Sequence, residues 1–340
     1  MEGAFMATRA VAAALALAAM PGAAAASPPV VATDIAPVQS IVARVMAGVG
    51  APGLVVPPGA SPHGYALRPS EAELLQEAGL VVWVGPALDP WLAGPIDTLA
   101  AEAARVTLQD APGIRLLPIR SGGPFEPHEH DHGQDHGQAG EAADHDHDHD
   151  HGTEAADADH DHDHEHEHGG PDGHLWLDPG NAVAAARAVA AALAPLDPEN
   201  AAAYAANAEA FATEMAELSS EIEDRLAPVR GQRFIVFHDA YQYFEDRFDM
   251  PAAGSVSLQE GVAPGAARVA EIHDRVRDAQ ISCAFTEPQF EPKLLGTVIE
   301  GAGVRTDVLD PIGAALPPGP DLYPALMLGL ADSLAECLGG

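Results

Sequence analysis

Histidine and carboxylate side chains carry most of the chemical reach in this sequence, and they occur in two arrangements. In the first, four residues are scattered along the chain. His63 lies in the loop Gly59-Ala60-Ser61-Pro62-His63, and His174 precedes Leu175-Trp176-Leu177. His238 directly follows the apolar run 234–237, and Asp310 directly follows the run 306–309. Three imidazoles and one carboxylate are a nitrogen/oxygen set that suits Zn²⁺ in tetrahedral geometry, with bonds of about 2.0–2.2 Å. Imidazole in place of a hard oxygen tilts selectivity from Mn²⁺ toward Zn²⁺, and Cu²⁺ and Ni²⁺ also accept it. Two kinds of chemistry follow. With a water in the fourth position the site would be that of an exported zinc hydrolase or hydratase. With Asp310 closing that position, the site holds an ion and does nothing else to it. Each residue alone has a plainer reading, as a hydrogen-bonded structural histidine or, for Asp310-Pro311, a turn former. His273, on a charged helical face between Glu271 and Arg275, belongs to that plainer class.

The second arrangement is a low-complexity run over residues 121–171. It holds 13 of the 17 histidines: His128, His130, His132, His136, His145, His147, His149, His151, His160, His162, His164, His166 and His168. Asp and Glu alternate with them, and no Lys or Arg intervenes. So few apolar residues cannot offset the entropy of ordering, and the run is expected to be a disordered loop. Neutral imidazoles beside carboxylates bind several Zn²⁺ ions weakly without a preformed fold. The run therefore reads as a secondary, low-affinity zinc collector, against the alternative of a solvated insertion. A secreted zinc buffer acting through this run alone is a further function class.

Charge narrows the partners. Across 340 residues there are 51 acids against 16 Lys and Arg, which argues against nucleic acid because phosphate binding needs a basic face. Residues 1–26 read as a signal peptide: Arg9, a short apolar stretch over 11–20 and small residues at 23–26, with Met6 as a cleaner start than Met1. No later segment reaches about 18 uninterrupted apolar residues, so export to the periplasm without a membrane anchor is expected. In that oxidising compartment the isolated pair Cys283 and Cys337 reads as a disulfide, worth roughly 4 kcal/mol on the chain-entropy model. Metal ligation or redox chemistry is the rival for this pair, without a CxxC spacing to support it.

Short apolar runs alternate with helical patterns, the signature of parallel-sheet α/β architecture. Strands are expected at 30–33, 54–56, 80–84, 234–237, 283–286 and 305–309. Helices are expected at 38–49, from a Ser70/Glu73 capping box onward, and at 266–279, 292–300 and 322–338. Asp197 and Pro198 are expected to open a long helix whose apolar residues Tyr204, Ala208, Phe211, Met215, Leu218 and Ile222 fall on one face. No Pro or Gly interrupts residues 200–227, so that helix should resist bending and permit only a small domain motion. The fold class is α/β: two Rossmann-like parallel-sheet domains joined by a single long rigid helix. The expected boundaries are 27–197 for the first domain with its 121–171 loop, 198–228 for the linking helix, and 229–340 for the second domain.

Several segments carry a resemblance. They are Ser61-Pro62-His63-Gly64-Tyr65, Val82-Trp83-Val84-Gly85, His174-Leu175-Trp176-Leu177-Asp178-Pro179, Phe237-His238-Asp239-Ala240-Tyr241, Glu287-Pro288-Gln289-Phe290 and Leu309-Asp310-Pro311. In this order they resemble the zinc-specific solute-binding proteins of ABC importers, the ZnuA type. The resemblance implies a binding protein and not an enzyme, with one Zn²⁺ held between two domains by His63, His174, His238 and Asp310. It implies Glu287 as an orienting carboxylate behind a histidine, and it matches Cys283 and Cys337 to a cysteine pair of similar proteins. Some relatives carry a glutamate immediately before the first histidine; here that residue is Pro62, which leaves Asp310 or a water for the fourth position. The implied partner is an inner-membrane ABC permease, with room for an auxiliary periplasmic zinc chaperone, and a monomer is expected. Ligation needs neutral imidazoles, so capture should weaken as pH falls toward about 6.5.

Overall fold

The structure, a computed structural model, describes residues 27–120, 125, 170–257, 265–278, 280–289, 295–296, 299, 301 and 303–340. The proposed signal segment and all thirteen histidines of the low-complexity run lie outside the described residues, as does most of the helix expected at 292–300.

Two four-stranded, all-parallel sheets organise the chain. The first contains β1 (Val31–Thr33), β2 (Gly53–Leu54), β3 (Leu80–Trp83) and β4 (Ala104–Thr107) in the order β2-β1-β3-β4. The second contains β5 (Phe234–His238), β6 (Ser255–Ser257), β7 (Cys283–Thr286) and β8 (Arg305–Val308) in the order β6-β5-β7-β8. The central strands are buried on both faces, which is why Leu80-Val81-Val82-Trp83 and Phe234-Ile235-Val236-Phe237 read as unbroken apolar runs. Successive side chains alternate between faces: Val31, Leu80 and Val82 point into a core shared by the whole molecule, while Ala32 and Val81 point to a smaller outer cluster.

Helices complete the layers. In the first half these are α1 (Ala36–Val45), α2 (Pro69–Glu77), α3 (Ala93–Leu99) and α4 (Pro179–Leu196). The Asp178 side chain caps α4 by accepting the Gly180 amide at 2.8 Å, and Pro179 occupies the first turn. Next comes α5 (Ala201–Leu226), followed by α6 (Gln242–Phe248), α7 (Ala266–Asp278) and α8 (Leu322–Gly339).

The six residues expected on one face of α5 are all buried, together with Ser219 and Leu226. That face packs on α4 and α1 from the first half and on α8 from the second. Two expected helix starts move. Glu71, not Glu73, closes the first turn of α2, its Oε2 accepting the Arg68 amide at 2.7 Å. Asn200 is the N-cap of α5, while Asp197 accepts the Tyr204 hydroxyl at 2.6 Å and the Asn200 amide nitrogen at 2.8 Å, pinning the turn between α4 and α5. The disulfide joins Cys283, at the start of β7, to Cys337 in the last turn of α8.

Candidate metal centre

The three scattered histidines converge. His63 arrives on the loop after β2. Trp91 Nε1 donates to the Pro62 carbonyl at 2.7 Å, and the Tyr65 hydroxyl donates to Glu71 at 2.8 Å, so the chain is held on both sides of His63. His174 opens the short 3-10 turn Leu175–Leu177 ahead of α4. Gly173 precedes it because a β-carbon there would lie 2.8 Å from the Ala87 backbone, so only glycine lets the two segments approach this closely. Trp176, fully buried, donates Nε1–H to the Pro311 carbonyl at 2.8 Å and carries this turn across to the second half. His238 is the last residue of β5.

The ring centroids form a triangle: His63 to His174 is 5.3 Å, His174 to His238 is 5.4 Å and His63 to His238 is 6.2 Å. One ligand atom from each residue lies within 4.8 Å of the other two, the one such group among the described residues. His174 and His238 are buried and face each other, Nε2 to Nε2, at 3.5 Å. Two nitrogens bound to one Zn²⁺ by bonds of about 2.0–2.1 Å at tetrahedral angles lie about 3.4 Å apart, so the spacing fits the ion.

What fixes the rings is a buried carboxylate behind each. Asp172 Oδ1 meets His174 Nδ1 at 2.7 Å and accepts its amide at 2.9 Å. Glu287 Oε1 meets His238 Nδ1 at 2.6 Å and accepts its amide at 3.3 Å. A carboxylate at Nδ1 keeps the proton there, so each Nε2 presents a lone pair to the centre and becomes a stronger donor. The three histidines border a cavity of about 10 Å³, enough for one ion or one water. Outside it opens a vestibule of about 350 Å³ lined in part by Leu88, Ile119, Arg120, Phe125 and Asp239.

Asp310 has partners in its own loop. Its Oδ1 accepts the amides of Ile312 at 3.2 Å and Gly313 at 2.9 Å, so the carboxylate is turned into its own Asx-type turn. It lines a separate cavity beside Gly313 and Leu316, and the neighbours that reach the histidines are Pro311 and Ile312. Asp172 is not among the residues expected at the site from the sequence. Its only signal was a carboxylate two residues ahead of a histidine across a glycine.

The family described as zinc-uptake complex component A, periplasmic (ZnuA) matches residues 30–337. The high-affinity zinc uptake system protein ZnuA of Brucella abortus (strain 2308) is 49% identical over 308 residues, 91% of each chain. That of Paracoccus denitrificans (strain Pd 1222) is 44% identical over 330 residues, 96% of this chain and 97% of its own. Among solved structures, one described as the crystal structure of ZnuA superposes with a TM-score of 0.68 at 21% identity, covering 91% of this chain and 99% of that one. The solute-binding protein FpvC of Pseudomonas aeruginosa in complex with Mn²⁺ superposes at 0.70 with 17% identity, covering 92% and 98%. These two likenesses show the fold. The chain belongs to the ZnuA family, the periplasmic zinc-uptake components, which bind zinc for transport and are not enzymes.

Proposed function

We propose that this chain captures one Zn²⁺ through Nε2 of His174, Nε2 of His238 and a nitrogen of His63, and hands it to a membrane ABC permease. The observation that carries the reading is the pair of facing Nε2 atoms, 3.5 Å apart, each on a ring held from behind by a buried carboxylate. Because Asp310 is engaged by its own turn, we assign the fourth position to water. Three neutral imidazoles favour Zn²⁺ over Mn²⁺ on ligand softness. The loss of an ion needs the ligands to part, and these come from both halves: His63 and His174 from the first, His238 from the second.

Residues 1–26 direct export and are removed, and the mature chain is a monomer of two domains, 27–197 and 229–340, around the linking helix 198–228. The thirteen histidines of the 121–171 run collect zinc weakly, and Ile119 and Arg120, which lead into that run, line the vestibule. An auxiliary periplasmic zinc chaperone is a further candidate partner.

Competitive titration of the mature protein against a zinc chelator tests the assignment, beside His238→Ala and a deletion of residues 126–168. One tight site is expected, lost in His238→Ala and kept in the deletion. A tight site that survives His238→Ala, or disappears with the deletion, would rule out the three-histidine assignment.

A further inference from the structure

Next to the histidines, the two halves are joined by a segment that supplies no ligand. Its first end is fixed to α4: the Arg115 amide donates to Asn181 Oδ1 at 2.8 Å, and Asn181 Nδ2 donates back to the Arg115 carbonyl at 3.0 Å. It then crosses onto α6, where the Leu117 amide donates to the Tyr243 hydroxyl at 3.0 Å. At its far end Arg120 forks into the second half. Nε meets Asp239 Oδ2 at 3.0 Å, Nη2 pairs with Asp239 Oδ1, and Nη1 meets Glu245 Oε2 at 2.6 Å. The Phe125 ring covers the guanidinium, 4.0 Å from Cζ to the ring centre.

The same segment holds the backbone behind His174. The Asp172 amide donates to the Leu117 carbonyl at 2.8 Å, and the Tyr243 hydroxyl donates to the Asp172 carbonyl at 2.9 Å. Asp172 in turn orients His174, and Asp239 follows His238 directly in the chain. A continuous chain of bonds therefore runs from His174 through Asp172, Leu117, Arg120 and Asp239 to His238.

We infer that residues 115–120 form a strap in which Arg120 is a positioning residue, fixing the gap between the two facing Nε2 atoms and so the time for which a bound zinc ion is retained. The inference rests on the three-histidine reading above. Metal–nitrogen bonds tolerate errors of only about 0.2 Å, so a small drift between the halves weakens both bonds at once. Bidentate, charge-assisted bonds resist such drift better than neutral ones. This fork is also sheltered, with the Arg120 side chain 19% exposed and that of Glu245 5%, so solvent screens it little. The neighbouring Arg115–Asp246 pair, about half exposed on both sides, is screened and holds weakly. The strap acts on departure because an arriving ion meets ligands already spaced, whereas a leaving ion needs them to separate.

The test is stopped-flow release of zinc into excess chelator, with association rates measured separately on the full-length mature protein. The variants are Arg120→Met, Arg120→Met/Glu245→Gln and His238→Ala. The double variant removes the buried carboxylate that the single one strands, which guards against a mere folding defect. We expect both Arg120 variants to release zinc about tenfold faster or more, with association unchanged; a general loss of structure would move both rates. Release rates matching the parent in both variants, while His238→Ala loses tight binding, would overturn the strap and leave the site reading intact. Tight binding that persists in His238→Ala would overturn the site reading and the strap with it.

Discussion

The two sheets share one strand order, so each has a point between its central strands where the crossovers diverge, and there open α/β sheets receive ligands. In the second half that point lies between β5 and β7 and holds His238 with Glu287. In the first half it lies between β1 and β3 and holds Asp34 with Asp89, both fully buried. Asp34 accepts the amides of Ile35 at 2.7 Å and Val84 at 2.6 Å, tying the ends of β1 and β3 together. Asp89 has no hydrogen-bond partner for either carboxyl oxygen among the described residues. Burial raises the pKa of both, and the charge of Asp34 raises that of Asp89 further. The same topological position thus does two jobs. A carboxylate opposite an imidazole fixes one proton and leaves a lone pair for a metal. A carboxyl opposite a carboxyl keeps a proton for itself and closes the sheet end. The first half accordingly brings its ligands from outside its switch point, from the loop after β2 and the turn before α4.

Substitutions test the two positions separately. The largest effect belongs to His63→Ala, which removes a ligand. Taking roughly a quarter of the 10–16 kcal/mol typical of a structural zinc site, affinity should fall about 100- to 1,000-fold, read by chelator competition. Glu287→Gln and Asp172→Asn should each weaken zinc about 10- to 100-fold, because the ring behind each nitrogen loses its anchor and its added basicity. If Asp172→Asn has no effect while Glu287→Gln does, only the second half uses its carboxylate as argued.

Smaller effects are expected on the structural side. Asp89→Asn should leave zinc affinity unchanged and alter how stability depends on pH. The folded state keeps protons on Asp34 and Asp89 that the unfolded chain releases above about pH 4, so stability falls as pH rises from there toward the raised values. Removing one such group should flatten that decline. Thermal unfolding should show a midpoint about 2–4 °C higher than the parent at pH 8 and no such gain at pH 4. Smallest of all, Asp310→Asn keeps an oxygen for the amides of Ile312 and Gly313 and should leave zinc affinity as it is. A large loss there would return the fourth ligand position to Asp310.

Much of this was legible because it depends on local pattern. The buried face of α5 followed from six apolar residues at helical spacing, and β7 from a short apolar run, Cys283-Ala284-Phe285-Thr286. α4 was not anticipated as a helix, since its alanine-rich sequence offers little contrast between faces, and β6 is only Ser255-Val256-Ser257. The capping residue of α2 was misplaced because the Glu71 carboxylate and the Arg68 amide find each other in a geometry that Ser70 and Glu73 only imitate in spacing. At the site, strand ends located His238 and Asp310 equally well. Which way a side chain turns from a strand end is decided afterwards, and here Oδ1 of Asp310 accepts the amides of Ile312 and Gly313. Asp172 was missed because its role exists only once the chain folds back on itself.

The position of α5 bears on how the molecule comes apart. One apolar cluster runs without a break from Val31 and Val82 through Tyr204, Phe211 and Ile222 to Phe285 and Leu338. Each sheet owns only the smaller cluster on its outer face, and each would leave half of the α5 stripe uncovered if it stood alone. Heating should produce a single calorimetric transition, and a chain cut after α5 should fail to fold as an independent unit.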